Sequence, residues 1–242
     1  MSMNNFLRTG WISSALCLGF LCAQPAAADD DPLFALQRAW WQWAGSIPLD
    51  SNPLIDETGE FCGVGQQGKY WYLSGNFGGS TTRSCTVPKG VKLLVPLIIT
   101  FCYPEEGYDD DASCIAYVND GIGAYRPSDV SLKVDGQPQP RRDICEITVA
   151  RGDDVTGIPR RCRINLRADR NLFSFAIAPN TIYGSDPGIW RANAARGYWG
   201  VVDTNDLSLG DHTLRIKVVG GPDTIVPFMS VIYHLTIAKP TN

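Results

Sequence analysis

The sequence predicts an all-β fold: an antiparallel, jelly-roll-like β-sandwich with one N-terminal helix and disulfide-braced loops. Three observations carry the expectation. Apolar residues alternate with period two along several short segments, Gly- and Pro-rich turns separate those segments, and only one stretch of the chain beyond its first 28 residues keeps a helical period. No internal repeat or linker divides the chain, so residues 29–242 are expected to form a single domain.

Residues 1–28 read as a cleaved export signal. Arg8 supplies a positive start, Trp11 to Ala23 an apolar run, and Ala26-Ala27-Ala28 a small-residue cleavage site before Asp29. The apolar run of 13 residues is short against the roughly 20 a spanning helix needs, and no later stretch is long enough. The 214 residues that remain carry 20 basic against 25 acidic side chains, a net charge of about −5. A mildly acidic chain without a basic run argues against a nucleic-acid partner. The predicted destination is the periplasm or the cell exterior.

The helix is expected over residues 31–46. Asp29, Asp30 and Asp31 favour its N-terminus, Pro32 suits its first turn, and Leu33, Leu36, Ala39, Trp40 and Trp43 recur at helical spacing. Its three tryptophans read either as a cap on the β core or as an aromatic platform for a ligand. Residues 47–68 are irregular. Strands follow at Lys69 to Gly75 and at Val91 to Phe101, the latter almost continuously apolar and interrupted by Pro96, where a bulge is expected. Val130, Leu132 and Val134 alternate up to Asp135-Gly136, a hairpin turn predicted to return through Cys145, Ile147 and Val149. Shorter candidates are Ile164 to Ala168, Leu172 to Ala178 and Tyr198 to Asp203. Two clear alternating strands close the chain, one through Leu214, Ile216 and Val218, the other through Met229, Val231, Tyr233, Leu235 and Ile237.

Six cysteines lie beyond the signal: Cys62, Cys85, Cys102, Cys114, Cys145 and Cys162. An even number in an exported chain reads as three disulfides, although six cysteines allow about 15 connectivities. Local pairing is the expectation, Cys62–Cys85, Cys102–Cys114 and Cys145–Cys162, each bridge contributing about 3 kcal/mol in the chain-entropy view. Without a C-x-x-C spacing, and with two histidines in the chain, zinc is not expected.

The candidate functional residues fall into three groups. Glu105, Glu106, Asp109, Asp110 and Asp111 crowd a loop between Cys102 and Cys114; their oxygens are of the kind calcium takes, though the EF-hand spacing is missing. Residues 180–199 read as a long connection punctuated by Tyr183, Trp190, Tyr198 and Trp199, flat apolar faces beside polar neighbours that suit a glycan or a peptide. Acid–base chemistry has no distinguished carboxylate pair, and neither His212 nor His234 adjoins a G-x-S-x-G elbow. The glycine-rich run from Gly75 lacks the lysine of a phosphate loop.

The stretch from Trp41 to Pro96 resembles a family of exported bacterial proteins without assigned function. The shared pattern is Trp41-x-Trp43; Asp56, Thr58, Gly59 and Cys62; Gly65-Gln66; Trp71, Leu73 and Gly75; Arg83, Cys85, Pro88 and Gly90; and Pro96 in a buried strand. Leu207, Gly210, His212-Thr213-Leu214 and Tyr233-x-Leu235 extend the likeness. The resemblance implies export and supports the Cys62–Cys85 bridge; it implies no activity. With that bridge formed, Asp56, Thr58, Gln66 and Arg83 flank it, and an Arg83–Asp56 pair near Gln66 either braces the fold or lines a polar ligand pocket.

These readings converge on an exported, non-catalytic binding protein whose ligand is a glycan or another protein. An exported carboxylate-dependent hydrolase supported by calcium, and an inhibitor or subunit of another exported protein, are the alternatives.

Overall fold

The computed structural model describes residues 32–102, 110–126, 128–139, 144–147, 173–182 and 187–240. The export signal, the Ile164–Ala168 strand, Tyr183, Cys162 and three members of the acidic loop (Glu105, Glu106 and Asp109) lie outside these residues.

The helix is where its period places it: α1 runs Pro32–Ser46. Asn52 ends it, its buried amide donating to the carbonyls of Ala44 and Ile47 at 3.0 and 2.8 Å. Among the described residues ten strands follow, β1(Tyr70–Tyr72), β2(Gly79–Pro88), β3(Lys92–Cys102), β4(Val130–Val134), β5(Gln137–Pro138), β6(Ile144–Ile147), β7(Phe173–Ile177), β8(Gly188–Asp203), β9(Gly210–Val219) and β10(Phe228–Ala238), with a second helix α2(Asp111–Gly123) after β3. The fold is mostly β.

Two five-stranded sheets result. One has the order β1-β3-β8-β6, with β7 also pairing β8; the other has the order β2-β10-β9-β4-β5. Alternation sets their facing sides. Leu93, Val95 and Leu97 of β3 share one buried cluster with Leu214, Ile216 and Val218 of β9 and with Val231, Tyr233 and Leu235 of β10. Burying a side chain of this size stabilises by about 1.5–3 kcal/mol, so this cluster is the main apolar contribution to the fold.

A second cluster lies under α1, where Trp40, Trp43, Trp199 and Phe175 pack together with Leu94. The helix also substitutes for strand partners. Gln37 donates to the carbonyl of Ala195 at 2.7 Å, and Gln42 makes a reciprocal pair with the main chain of Ala176. Polar side chains on a buried helix face are tolerated because each finds a partner.

Four expectations are corrected. The pairing is not wholly antiparallel, since β1 runs parallel to β3 and β2 parallel to β10. The Asp135-Gly136 turn forms, with both residues at positive φ as a tight hairpin turn requires, but its return strand is only β5. Ile144–Ile147 instead pairs with β8 in the other sheet. Residues 188–199 are not a loop: they are most of β8, a 16-residue strand whose regular alternation is broken by Gly197 and Gly200.

The fourth correction is α2. Asp110 caps it by accepting from the Ser113 amide at 2.7 Å, while Ser113 Oγ bonds back to Asp110. Cys114, Val118 and Ile122 form its buried stripe, and the Cys102–Cys114 bridge, Cα atoms 5.7 Å apart, ties it to the end of β3. Two acids of the expected calcium loop are therefore a helix cap and a first-turn residue.

Candidate functional site

Around the Cys62–Cys85 bridge, whose Cα atoms are 5.8 Å apart, the four flanking residues do come together, but as a brace. Asp56 spends its carboxylate on its own turn: Oδ1 accepts from the Thr58 amide, the Thr58 hydroxyl and the Gly59 amide, and Oδ2 from the Phe61 amide, all at 2.8–2.9 Å. Burial works to raise this carboxyl, but the donated hydrogen bonds outweigh it and hold the group below the usual carboxylate range. Gly59 sits at φ +90° and a Cβ there would fall 2.1 Å from the Ser84 carbonyl oxygen, so only glycine lets the turn lie against β2.

Arg83 is 2 % exposed. It does not pair with the Asp56 carboxylate. Its guanidinium donates to main-chain carbonyls of Asp56, Ser74, Gly75 and Leu54, and to the hydroxyls of Ser74 and Tyr233. Tyr233 in turn donates to the Ser74 carbonyl at 2.8 Å. Gln66 completes the brace by pairing with both main-chain groups of Tyr72 and donating to the Cys62 carbonyl. The hydrogen-bonding capacity here is used inside the protein, which leaves little with which to hold a ligand.

The aromatic group is likewise built into the interior. Trp190, Tyr198 and Trp199 are all buried on β8, and Trp199 donates its indole N–H to Gln37 Oε1 at 3.1 Å. Over residues 188–199 the expected exposed aromatic loop is strand β8, and its three aromatic side chains point into the core. Among the described residues, no three metal-ligating side chains gather.

His212 links a carboxylate and a serine on an exposed part of the surface. Nδ1 lies 2.7 Å from Asp135 Oδ2, and Nε2 lies 3.1 Å from Ser208 Oγ. Nε2 also lies 3.0 Å from the Ser208 carbonyl oxygen. Asp135 accepts from the ring at Nδ1, while Nε2 faces both the hydroxyl and the carbonyl of Ser208, accepting from the hydroxyl when the ring is neutral and donating to the carbonyl when it is protonated. The hydrogen bond to Asp135 raises the His212 pKa, against an opposing effect of burial, and the same hydrogen bond leads the lowering of Asp135, aided by the Thr213 amide. The group is a clamp between the β4–β5 turn and the start of β9, charged where His212 is protonated.

Among the described residues, one feature able to receive a ligand is a cavity of about 450 Å³ beside β3. Its origin is local. β1 pairs β3 only over Lys92–Leu94, Pro96 has no N–H to offer, and the ladder to β8 shifts between Pro96 and Ile98. Beyond that point no strand among the described residues pairs this edge of β3. Side chains wall the space instead: Trp40 and Trp41 from α1, Pro96 to Phe101 from β3, Tyr117 from α2, Met229 from β10, and loop residues Gly75 to Phe77, Ile225 and Val226. Trp41 stacks on Phe101 with ring centroids 4.2 Å apart, and Trp40 fixes its indole on the Leu73 carbonyl at 2.8 Å.

None of the described residues lining the cavity carries a charge. Its rim is apolar and open to solvent, with Phe77 74 % and Ile225 51 % exposed. Tyr125 steadies the Ile225–Val226 loop: its hydroxyl donates to the Val226 carbonyl and accepts from the Val226 amide. None of the described residues expected to hold a ligand or metal lines this cavity; Trp40 and Trp41 entered the sequence analysis as a helix cap or aromatic platform and Pro96 as a bulge, while Phe77, Thr100, Tyr117, Ile225 and Met229 were not linked to a site. A phenylalanine inside a glycine-rich turn and an Ile-Val pair in the Gly220–Pro227 loop were the available signals.

Compared with known protein-family models, with curated proteins and with solved structures, the chain matches none.

Proposed function

We propose that this chain is an exported, non-catalytic binding protein, a β-sandwich that takes a small, mainly apolar ligand in the cavity beside β3. The observation that carries the reading is the cavity itself, about 450 Å³ with an uncharged wall and an exposed apolar rim. Small-molecule sites are concave, mostly apolar and largely preformed, and this volume falls within their usual range of roughly 300–1,000 Å³. The stacked and hydrogen-bonded indoles give it fixed walls.

Export is supported by the two described disulfides and by the signal-like first 28 residues. No helix among the described residues is long and apolar enough to cross a membrane. A glycan is the less favoured ligand, because sugar hydroxyls need convergent polar groups and the wall offers few. The hydrolase reading has no convergent carboxylates among the described residues to support it.

The test is titration of residues 29–242 with N-phenyl-1-naphthylamine, a neutral apolar probe whose emission rises on leaving water. One saturable site is expected. Gly75→Leu fills the wall: a Cβ at Gly75 meets Met229 Sδ at an ordinary 3.4 Å, so the variant should fold and lose the probe. Absence of saturable binding to the unaltered protein, or equal binding by Gly75→Leu, overturns the proposal.

A further inference from the structure

The outward face of the sheet built on β2, β10, β9 and β4 gathers charge of one sign. Alternation turns Leu132, Leu214, Ile216 and Val218 into the core and leaves Lys133, Arg215 and Lys217 exposed on the opposite side. Lys133 and Arg215 face each other across β4 and β9, and Lys217 is the next outward residue along β9. Directly opposed side chains have Cβ atoms about 4.5–5.5 Å apart, and like charges so placed destabilise a sheet. Among the described residues, none of the three forms an ion pair. The acids at the margins of the face are engaged elsewhere. Asp129 accepts from the Arg126 amide, Asp135 accepts from the Thr213 amide and contacts His212, and Asp211 accepts from the Thr236 hydroxyl. The cationic positions run on into hydroxyls. Lys217 stands between Ser131 and Ser230, with Ser80 beyond on β2. Arg215 stands beside half-buried Ile232, with exposed Thr82 beyond. Phe228, 43 % exposed, ends the face beside Val219.

We propose that this face binds an acidic polysaccharide, laid across the strands with its carboxylates on Lys133, Arg215 and Lys217. A carboxylate between Lys133 and Arg215 turns their repulsion into two attractions, and the guanidinium can take it through paired hydrogen bonds. The neighbouring serines and Thr82 both donate and accept, which is what sugar hydroxyls require. Phe228 adds a flat apolar surface on which a sugar ring can stack. The four strands span about 14 Å from β4 to β2 without a concavity, a shape that suits an extended polymer with repeated charges. An anionic bilayer would need apolar side chains to enter it, and the two cationic rows offer half-buried Ile232. The site is separate from the cavity beside β3 and does not rest on it.

Affinity electrophoresis of the purified protein tests this, in native gels containing polygalacturonate, alginate or, as the neutral control, dextran. The acidic polymers should retard the protein and dextran should not. Arg215→Gln should weaken binding about tenfold, the loss expected for one charge-assisted contact. Lys69→Gln, which removes an exposed cation beside β1 of the other sheet, should leave binding unchanged. Because Lys133 and Arg215 repel each other, Arg215→Gln should also unfold no earlier than the unaltered protein. Failure of both acidic polymers to retard the unaltered protein overturns the proposal, as does equal retardation by dextran. Equal affinity of Arg215→Gln and Lys69→Gln overturns it too. Cosedimentation with phosphatidylglycerol vesicles, without retardation by either acidic polymer, would assign the face to a membrane surface instead. The comparison of acidic with neutral polymer on the unaltered protein decides the matter even if a variant folds poorly.

Discussion

Two buried polar side chains sit on neighbouring elements of this molecule and meet opposite treatment. Arg83 on β2 is surrounded by carbonyls and hydroxyls from three separate segments, the 54–56 turn, Ser74-Gly75 and Tyr233 of β10. The Thr100 hydroxyl on β3 has no partner among the described residues. The Arg83 surroundings are closed: the chain was folded around the guanidinium, and every segment it touches depends on it. Thr100 lies in the wall of the cavity, but its hydroxyl oxygen is buried away from solvent. The difference separates a residue that specifies the fold from one that the fold can spare, although burial alone would rank them together.

The largest effect that can break this contrast is at Arg83. Arg83→Met should destabilise by about 3–5 kcal/mol, because it strands several buried acceptors at once. The midpoint of guanidinium unfolding measures it, and a change under 1 kcal/mol would show that the brace is dispensable. Removing the Cys62–Cys85 bridge beside it, by replacing both residues with serine, should cost about 3 kcal/mol by the same measurement.

The clamp at His212 is a smaller, pH-dependent contribution. Its pKa is raised on folding above its ordinary 6.5, so its stabilisation is fully present below that value and is lost as pH rises through the raised value. Asp135, lowered from 3.8, contributes above that value and loses its contribution as pH falls through its folded pKa. The clamp is therefore strongest between these limits. The exposed carboxylate keeps the effect under about 1 kcal/mol. Unfolding midpoints of the unaltered protein and His212→Gln should differ at pH 5.5 and converge by pH 9.

Thr100→Val should have the smallest effect. Replacing an unsatisfied buried hydroxyl with a methyl of similar shape leaves stability unchanged or raises it by up to about 1 kcal/mol. A loss above 2 kcal/mol, read from the thermal midpoint, would mean that Thr100 is bonded in solution and belongs with Arg83 after all.

Much of the fold was legible because it rests on local periodicity. The apolar run broken at Pro96 became β3 with its register shift, and the final two alternating segments became β9 and β10. Disulfide proximity followed from spacing at Cys62–Cys85 and Cys102–Cys114. Helix α2 was hidden because its cap, Asp110 to Ser113, lies in a run of acids, and because Gly121 and Gly123 weaken its helical pattern. The first half of β8 was hidden because Asn193, Arg196 and Gly197 interrupt the expected alternation. Arg83 was marked as important, but its partners are main-chain carbonyls, which every residue possesses and no side-chain pattern reveals. The cavity was least legible. Phe77, Thr100 and Ile225 meet only because β1 stops early, and that is a consequence of tertiary pairing.

Strand β10 lies between β2 and β9, aligned with β2 in parallel so that Met229 faces Gly79 and Ala238 faces Pro88. A polypeptide emerging from its N-terminus therefore holds β2 without its described neighbour until β10 has been made. Pairings between such distant stretches form slowly, since a long loop must close before they return any stability. Folding of that sheet is deferred until β10 is available. Truncation before residue 228 would not trim this sheet but split it, leaving β2 apart from β9 and β4 and an aggregation-prone edge on each side of the gap.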